Sequence, residues 1–329
     1  MVDASDGLVS AAQAGWRPAE PISADDLERT LRLLREVLPS SAWDDDTFID
    51  HWYNQHPNGP AVQQNLDDAD GRLVHVAAVP AGFHNDSREK VIGLIVNASA
   101  SPKVTRMGKY IKLLVATREA VAAHGGLGIF GVSNDAGTPA ALAAPGHTYV
   151  EAMPVVARPA NPFVRGVRSE RVDASWLAGD AADRLIDAID QTPRDERWSQ
   201  RWTPALLRWR LSSPGGAYSV HWCRDVIGIS TRVKVKAVPV AVVLGLFRRT
   251  SAATDVVSGA PVFGAAARHH KVVATVYAGT NNRVETKGVT LPRRYLPSPL
   301  NILFASGEDD YDPTTFRLSS IEFLDFGAF

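Results

Sequence analysis

One cysteine, Cys223, stands in 329 residues, so no disulfide framework and no cysteine-based metal site can form within the chain. An excess of charge of one sign is also missing. Thirty-five Lys and Arg against 36 Asp and Glu leave a formal net charge of −1, which gives no basic footprint for a nucleic-acid partner. Long hydrophobic runs are absent too: the longest, Ala237 to Phe247, contains Pro239 and falls short of the ~20 residues of a membrane helix. Met1 to Ala14 carries Asp3 and Asp6 and no basic segment before an apolar core, so it does not read as a secretory leader. A flexible tail over residues 1–20 is expected instead. What remains is an ordinary globular composition, 45% hydrophobic and 22% charged, which predicts a cytoplasmic protein with neither membrane nor nucleic acid as partner.

The most informative stretch runs from Lys90 to Val156. An apolar strand, Val91-Ile-Gly-Leu-Ile-Val96, is followed by the basic turn Lys103-Val-Thr-Arg-Met-Gly108 and a helix from Lys109 to Ala123. A second strand, Leu127 to Val132, leads to Asn134, a short helix from Thr138 to Ala144, the turn Pro145-Gly146 and a third strand, Tyr149 to Val156. A strand that stops at a cationic glycine turn and restarts as a helix aims backbone N–H groups and the helix dipole at one point, which suits a phosphate.

Upstream, Ser23 with Asp25 and Asp26 opens a helix whose Leu27, Leu31, Leu34 and Leu38 share one face, and Pro39 stops it. A second helix is expected from Asp45 to Gln55, then a hairpin of Gln63–Asp68 and Arg72–Val79 turning at Asp70-Gly71. Pro80 to Glu89 reads as a polar turn. The order predicts an α/β fold with a mixed sheet. Residues 161–170, rich in Pro, Arg and Asn nearby, read as a linker between a domain over 21–160 and a second over 171–329. The second half repeats the order: helices at Asp180–Gln191 and Thr203–Trp209, strands at Ala217–Trp222, Val226–Val233 and Lys236–Phe247, a helix at Gly259–His270, and a strand from Lys271 ending near Asn281. Leu300–Ala305 and Ile321–Phe326 add two strand-like pieces.

Short motifs in this order resemble the tandem acyltransferases of the GCN5-related N-acetyltransferase superfamily. They are His51-Trp-Tyr-Asn54 with Pro57-Asn-Gly-Pro60, Asp70-Gly-Arg72, Gly131-Val-Ser-Asn134, Leu207-Arg-Trp-Arg210, Leu291-Pro-Arg-Arg294, Pro297-Ser-Pro-Leu300 and Asp325-Phe-Gly-Ala-Phe329. The resemblance implies two such mixed-sheet α/β domains in tandem, the second degenerate. It implies acyl-CoA, acetyl or longer, as co-substrate and no metal. The family's phosphate turn aligns with Thr105, Arg106, Met107, Gly108, Lys109 and Tyr110, with Lys103 or Lys112 near the outer phosphate, and Asn134 would hold the pantetheine arm. Thr105 and Tyr110 depart from the family pattern. The stretch after Arg248-Arg249 has no compact glycine turn, so the second half is expected to bind no coenzyme.

Amide formation from a thioester needs a base for the amine, donors for the oxyanion and a proton for the leaving thiolate. The acid expected from the resemblance, a Tyr on the helix after Asn134, is missing, and Val91 to Asn97 holds no carboxylate. Candidates are His75, Tyr149 and, since some relatives use the chain's terminal carboxylate, Phe329; His84, His147 and His221 follow. His269-His270 read as a dipole-matched helix end. The expected activity is direct transfer of an acyl group from a pantetheine thioester to a small-molecule amine. The donor is acyl-CoA or an acyl carrier protein. The alternatives are a catalytically silent acyl-CoA- or acyl-carrier-binding protein, and a thioester hydrolase or decarboxylase.

Overall fold

The computed structural model describes residues 14–39, 41, 43, 45–104, 107–161, 163–235, 237–292 and 300–326. Helix α1 (Ala24–Val37) starts where the Ser23 side chain accepts the Asp26 N–H, and α2 (Asp46–Asn54) where Asp45 accepts from Thr47 and Phe48. Strands β1 (Val62–Asp68) and β2 (Gly71–His84) form the hairpin, turning on Gly71 at φ +137°. Strand β3 (Glu89–Ala100) pairs with β2; α3 (Met107–Ala123), β4 (Gly128–Ser133), α4 (Gly137–Leu142) and β5 (His147–Ala152) follow.

The second half comprises β6 (Val155–Pro159), β7 (Arg168–Arg171), α5 (Ala174–Ala178), α6 (Ala181–Ala188), β8 (Ser199–Gln200) and α7 (Pro204–Leu211). After these come β9 (Tyr218–Trp222), β10 (Val226–Val235), β11 (Val238–Arg248), β12 (Val257–Ser258), α8 (Ala260–His270) and β13 (Ala274–Asn281). The chain closes with β14 (Val284–Glu285), β15 (Val289–Thr290), β16 (Asn301–Ser306) and β17 (Ser320–Glu322).

Two mixed sheets result. The first has the order β1-β2-β3-β4-β16-β5 with β8 beside β2; the second has β15-β6-β13-β11-β10-β9-β7 with β17 beside β13. The halves exchange a strand. β16, from late in the chain, lies between β4 and β5, while β6, directly after β5, lies between β13 and β15. Neither half, divided near residue 160, holds every strand of its own sheet. The exchanged β16 is sealed in: Phe304 is fully buried and stacks on Phe316 at 3.9 Å between ring centroids. Truncating such a phenylalanine costs about 3–5 kcal/mol.

Several expectations need correcting. Tyr149 to Val156 is two strands in two sheets, broken at Met153-Pro154, where proline has no N–H for a ladder. Pro80 lies inside β2: β1 ends opposite Ala78 and β8 joins only at Phe83, so between them β2 has no strand on one side and the missing N–H costs no ladder bond. Of the expected tail, residues 1–13 lie outside the described residues, but Trp16 is buried and its Nε1 donates to the Asn58 carbonyl at 3.0 Å. Part of the expected linker is β7, paired with β9.

One apolar core runs through both halves, from Trp52, Phe83 and Phe130 to Leu206, Leu244 and Ile321. His51 and Trp209 join them: their rings stack at 5.1 Å, His51 Nε2 bonds the Trp209 carbonyl and Trp209 Nε1 the His51 carbonyl. Among the described residues no helix is long and apolar enough to cross a membrane.

Candidate functional site

Strands β3 and β4 run parallel but pair only at Gly93–Ile129, Leu94–Phe130 and Ile95–Gly131. On the other side of β3 the register with β2 slips, Ala78 facing Ile95 and Ala77 facing Asn97, so Val96 is an extra residue. Such a bulge bends its strand, and β3 leaves β4 at that point. The fork opens a groove of about 150 Å³ lined by Val96, Asn97, Val132, Ser133, Tyr110 and Leu114. Val132 and Val96 also pack on the core, so the groove is apolar with polar lips, the profile of a ligand cleft.

Asn97 is the polar group at the inner end. It is buried, its Oδ1 accepts from Ser99 Oγ at 2.8 Å, and its Nδ2 has no hydrogen-bond partner, although it lies beside the Tyr53 hydroxyl. A buried orphan N–H costs about 1–3 kcal/mol, and the residue that carries it lines the groove. Behind it runs a buried chain. Tyr53 Oη meets His75 Nε2 at 2.7 Å, and His75 Nδ1 meets the Asn65 amide at 2.7 Å. With Asn65 turned so that its carbonyl accepts from Arg72 at 3.2 Å, its Nδ2 donates to His75 Nδ1. His75 is then the Nε2–H tautomer and donates to Tyr53, leaving the phenol proton free for the fork. Burial pushes His75 down to about 3 and Tyr53 above its ordinary value, so both are neutral.

At the outer end, α3 starts at Met107, and Met107, Gly108 and Lys109 are exposed. A Cβ on Gly108 would meet nothing within 4 Å: the space beside the first turn is open, which fits an anion there. The helix carries no acidic residue in that turn. Thr105 and Arg106 lie outside the described residues, while Lys103 and Lys112 are exposed. Tyr110, in place of a small residue, turns into the groove wall, where burial raises its hydroxyl to about 12. Asn134 lies at the groove's rim, where its Oδ1 accepts from the Gly137 N–H at 2.7 Å at the start of α4.

The expected catalytic groups are not gathered. His75 is fully buried with both ring nitrogens bonded, so it positions rather than titrates. Tyr149 is half exposed and does not line the groove. Phe329 lies outside the described residues. His147 lines the groove, with its pKa lowered by burial, and His84 is buried. His221 is tied to Ser169 at 2.8 Å and to Ser230 at 2.7 Å; Ser230 also meets His270, and Ser219 meets His269, so the helix-end pair is part of a serine-histidine network.

Two groups escaped the sequence reading. Asn97 ended an apolar strand and gave no sign of being unpartnered. Glu151 sits on β5 opposite Ile302, which is itself opposite Val132 at the fork. Two strand spacings place it about 10 Å from the fork, on the side of the sheet facing the second half. Burial raises its carboxyl, and Thr280 Oγ1 lies 3.4 Å away.

The second sheet repeats the fork and closes it. β11 and β13 pair only from Ala241–Thr275 to Val243–Tyr277, and the register slip leaves Leu244 as the extra residue. Into this fork runs the chain's own segment 320–325. β17 pairs with β13, Leu324 donates to the Leu244 carbonyl at 2.8 Å, and the Leu246 N–H donates to Glu322 at 3.0 Å. The start of α8 is covered as well: the Gly259 N–H donates to the Glu285 carbonyl, and β12 pairs with β14. Among the described residues this second fork is occupied by the chain itself.

No family model matches the chain, and no curated protein matches its sequence. Solved structures do match its fold. A GCN5-related N-acetyltransferase from Kribbella flavida is 11% identical, with TM-score 0.57 over 87% of this chain and 70% of its own. One from Anabaena variabilis ATCC 29413 is 10% identical, with TM-score 0.56 over 87% and 71%. A probable N-acyltransferase from Enterococcus faecalis V583 is 9% identical, with TM-score 0.56 over 88% and 72%. At these identities the likeness establishes the fold: that of the GCN5-related N-acetyltransferases, built here twice in one chain.

Proposed function

We propose that the first half binds an acyl-pantetheine thioester in the β3–β4 fork and transfers its acyl group directly to a small-molecule amine. The observation that carries this reading is the contrast between two equivalent forks, one open with an unpartnered donor at its inner end and one filled by the chain itself. The pantetheine arm would lie between the parted strands, with its phosphates at the start of α3, where the dipole and exposed lysines favour anions. An acyl carrier protein could present the same arm in place of coenzyme A.

In this reading Asn97 Nδ2 donates to the thioester carbonyl and follows it into the tetrahedral oxyanion. Ser99, which donates to Asn97 Oδ1, holds the amide in place, with Tyr53 beside it fixed by His75. The incoming amine approaches from the side facing the second half and gives its proton through a chain of water to Glu151, a carboxylate that burial makes a stronger base than an exposed one. Tyr110, still protonated, offers a hydroxyl in the groove for the leaving thiolate. Collapse of the intermediate breaks the carbon–sulfur bond and leaves amide and thiol.

A silent acyl-CoA-binding protein is favoured by one observation, the two strand spacings, about 10 Å, between Glu151 and the fork. Thiol release from acetyl-CoA and longer acyl-CoAs across a panel of amines separates the readings. Amine-dependent release lost in Asn97→Ala supports transfer; binding of acyl-CoA with no release under any amine overturns it. Release independent of amine would identify a hydrolase.

A further inference from the structure

A groove of about 600 Å³, larger than the open fork, lies between α1, the first turns of α2 and the loop after α7. That volume suits a small organic ligand. Its floor is apolar: Leu31 and Ile49 are buried members of the common core, and Leu27 and Pro214 are half-buried beside them. Its rim is acidic. Glu28, Asp46 and Asp50 line it, and no Lys or Arg does.

Glu28 is answered by Arg32, one turn further along α1. Among the described residues Asp46 and Asp50 meet only neutral donors. Asp46 accepts from the Thr47 N–H at 2.9 Å, and Asp50 from the Asn54 and Gln55 amides at 2.9 and 2.6 Å. The dipole at the start of α2 offsets part of the Asp46 charge, but Asp50 lies a turn inside, beyond its reach. His51, the remaining titratable group on this wall, is held neutral: burial lowers it to about 4, and its Nε2 bonds the Trp209 carbonyl. Two carboxylates without a cation thus stand over an apolar floor. Helix α2 joins this groove to the open fork. Tyr53 stands on the same face as Ile49 and Asp50, one turn on, and its hydroxyl lies beside Asn97 at the fork's inner end.

We propose that this groove binds an ammonium compound with an apolar body, an alkylamine or arylamine, its cation on Asp46 and Asp50 and its body on Leu27, Leu31 and Ile49. An anion meets charge of its own sign there, and a small hydrophilic cation leaves the floor bare. The chain's first thirteen residues, outside the described residues, hold no Lys or Arg to serve in its place. Under the acyl-transfer reading this compound is the acceptor, gathered one turn of α2 from the site of transfer. That role rests on the reading; the binding does not.

Calorimetric titration of the full chain at neutral pH, with no acyl donor present, tests the binding. The probes are phenylbutylamine, the alcohol and the carboxylate of the same body, and ethylamine. Phenylbutylamine is expected to bind saturably in the millimolar range or tighter, and to weaken as salt rises. The alcohol should bind about fivefold more weakly, and the carboxylate and ethylamine without saturation. Asp46→Asn combined with Asp50→Asn should cost about tenfold, the scale of two half-exposed ion pairs, and remove the preference over the alcohol. Leu27→Gln should weaken amine and alcohol alike. Circular dichroism and the unfolding midpoint establish that each variant is folded. No saturable binding of the amine, equal affinity for the alcohol, or unchanged affinity in the folded double variant would each overturn the proposal. The acceptor role has its own readout. In the double variant the KM for the amine should rise about tenfold while the KM for acyl-CoA holds, and an unchanged amine KM would overturn that role. Amine binding with no thiol release from any donor would leave the groove standing and remove the transfer reading alone.

Discussion

Leu324 donates its backbone N–H to the carbonyl of Leu244 at 2.8 Å, and its side chain covers Gly245 so closely that a Cβ there would stand 2.8 Å from Leu324 Cδ2. The inserted segment thus takes, in the second sheet, the place that a ligand arm would take in the first. Leu324 is 1% exposed, and Leu324→Ala should cost about 2–4 kcal/mol in urea unfolding. Acyl-CoA binding, which belongs to the other fork, should stay within about twofold of wild type. A large loss of acyl-CoA affinity with little loss of stability would show that the forks' roles are reversed.

Gly108→Glu places a carboxylate where the phosphates of the donor are expected. Because a Cβ at Gly108 meets nothing within 4 Å, the variant should fold with stability within about 1 kcal/mol of wild type. Its acyl-CoA affinity should fall by about tenfold or more at low salt, with the loss partly screened as ionic strength rises. Unchanged affinity by calorimetry would remove the start of α3 from the donor site.

Asn97→Ala removes the one amide donor at the inner end of the groove. The expected loss is in kcat, about 10²-fold, with the KM for acyl-CoA nearly unchanged, since the bond strengthens as the oxyanion forms. Glu151→Gln should lower kcat by about 10²-fold and flatten the acid limb of its pH profile. Equal kcat and an unaltered pH profile in Glu151→Gln would remove it as the base.

Acid should unfold the protein early. Burial holds His56, His75 and His221 down to about 3, and His51 and His270 to about 4. Between the ordinary histidine value of 6.5 and those values the unfolded chain takes up protons and the folded chain does not. The stability these groups contribute is therefore full above pH 6.5 and drains as pH falls towards 4 and 3. Each fully buried imidazole drains about 1.4 kcal/mol per pH unit in that window. His75→Gln should flatten part of the slope in urea midpoints measured from pH 7 to pH 4.5; an unchanged slope would show that His75 titrates while folded.

Local chemistry was legible in the sequence, and long-range partnership was not. Ser23 and Asp45 announce their helices because the capping bond is made within three residues. The Asp70-Gly71 hairpin is legible for the same reason. Both forks were within reach as a strand, a turn and a helix, and the missing glycine turn already set the second apart, but the way it is filled was not legible: that depends on Glu322 and Leu324, whose apolar and acidic pattern resembles any short strand. The break between β5 and β6 was hidden because Val155 and Val156 are as strand-prone as Val150, and only their partners differ. At the site, His75 alternated correctly against Val74 and Val76, but nothing local told that α2 would bring Tyr53 over it. The resemblance put Asn134 at the pantetheine arm; the structure sets it at the groove's rim with its Oδ1 on the Gly137 N–H, a bond as local as the helix caps.

The exchanged strands also set a clock on biosynthesis. On the ribosome, β4 and β5 emerge together, yet the strand that joins them, β16, is about 150 residues further along, on the order of ten seconds of elongation. Through that interval two strands of the nascent first sheet have bare edges and no neighbour between them, an arrangement prone to pairing with other chains. Until β16 has emerged, the newborn chain keeps an open slot in its first sheet, and a message truncated before β16 would leave that slot unfilled.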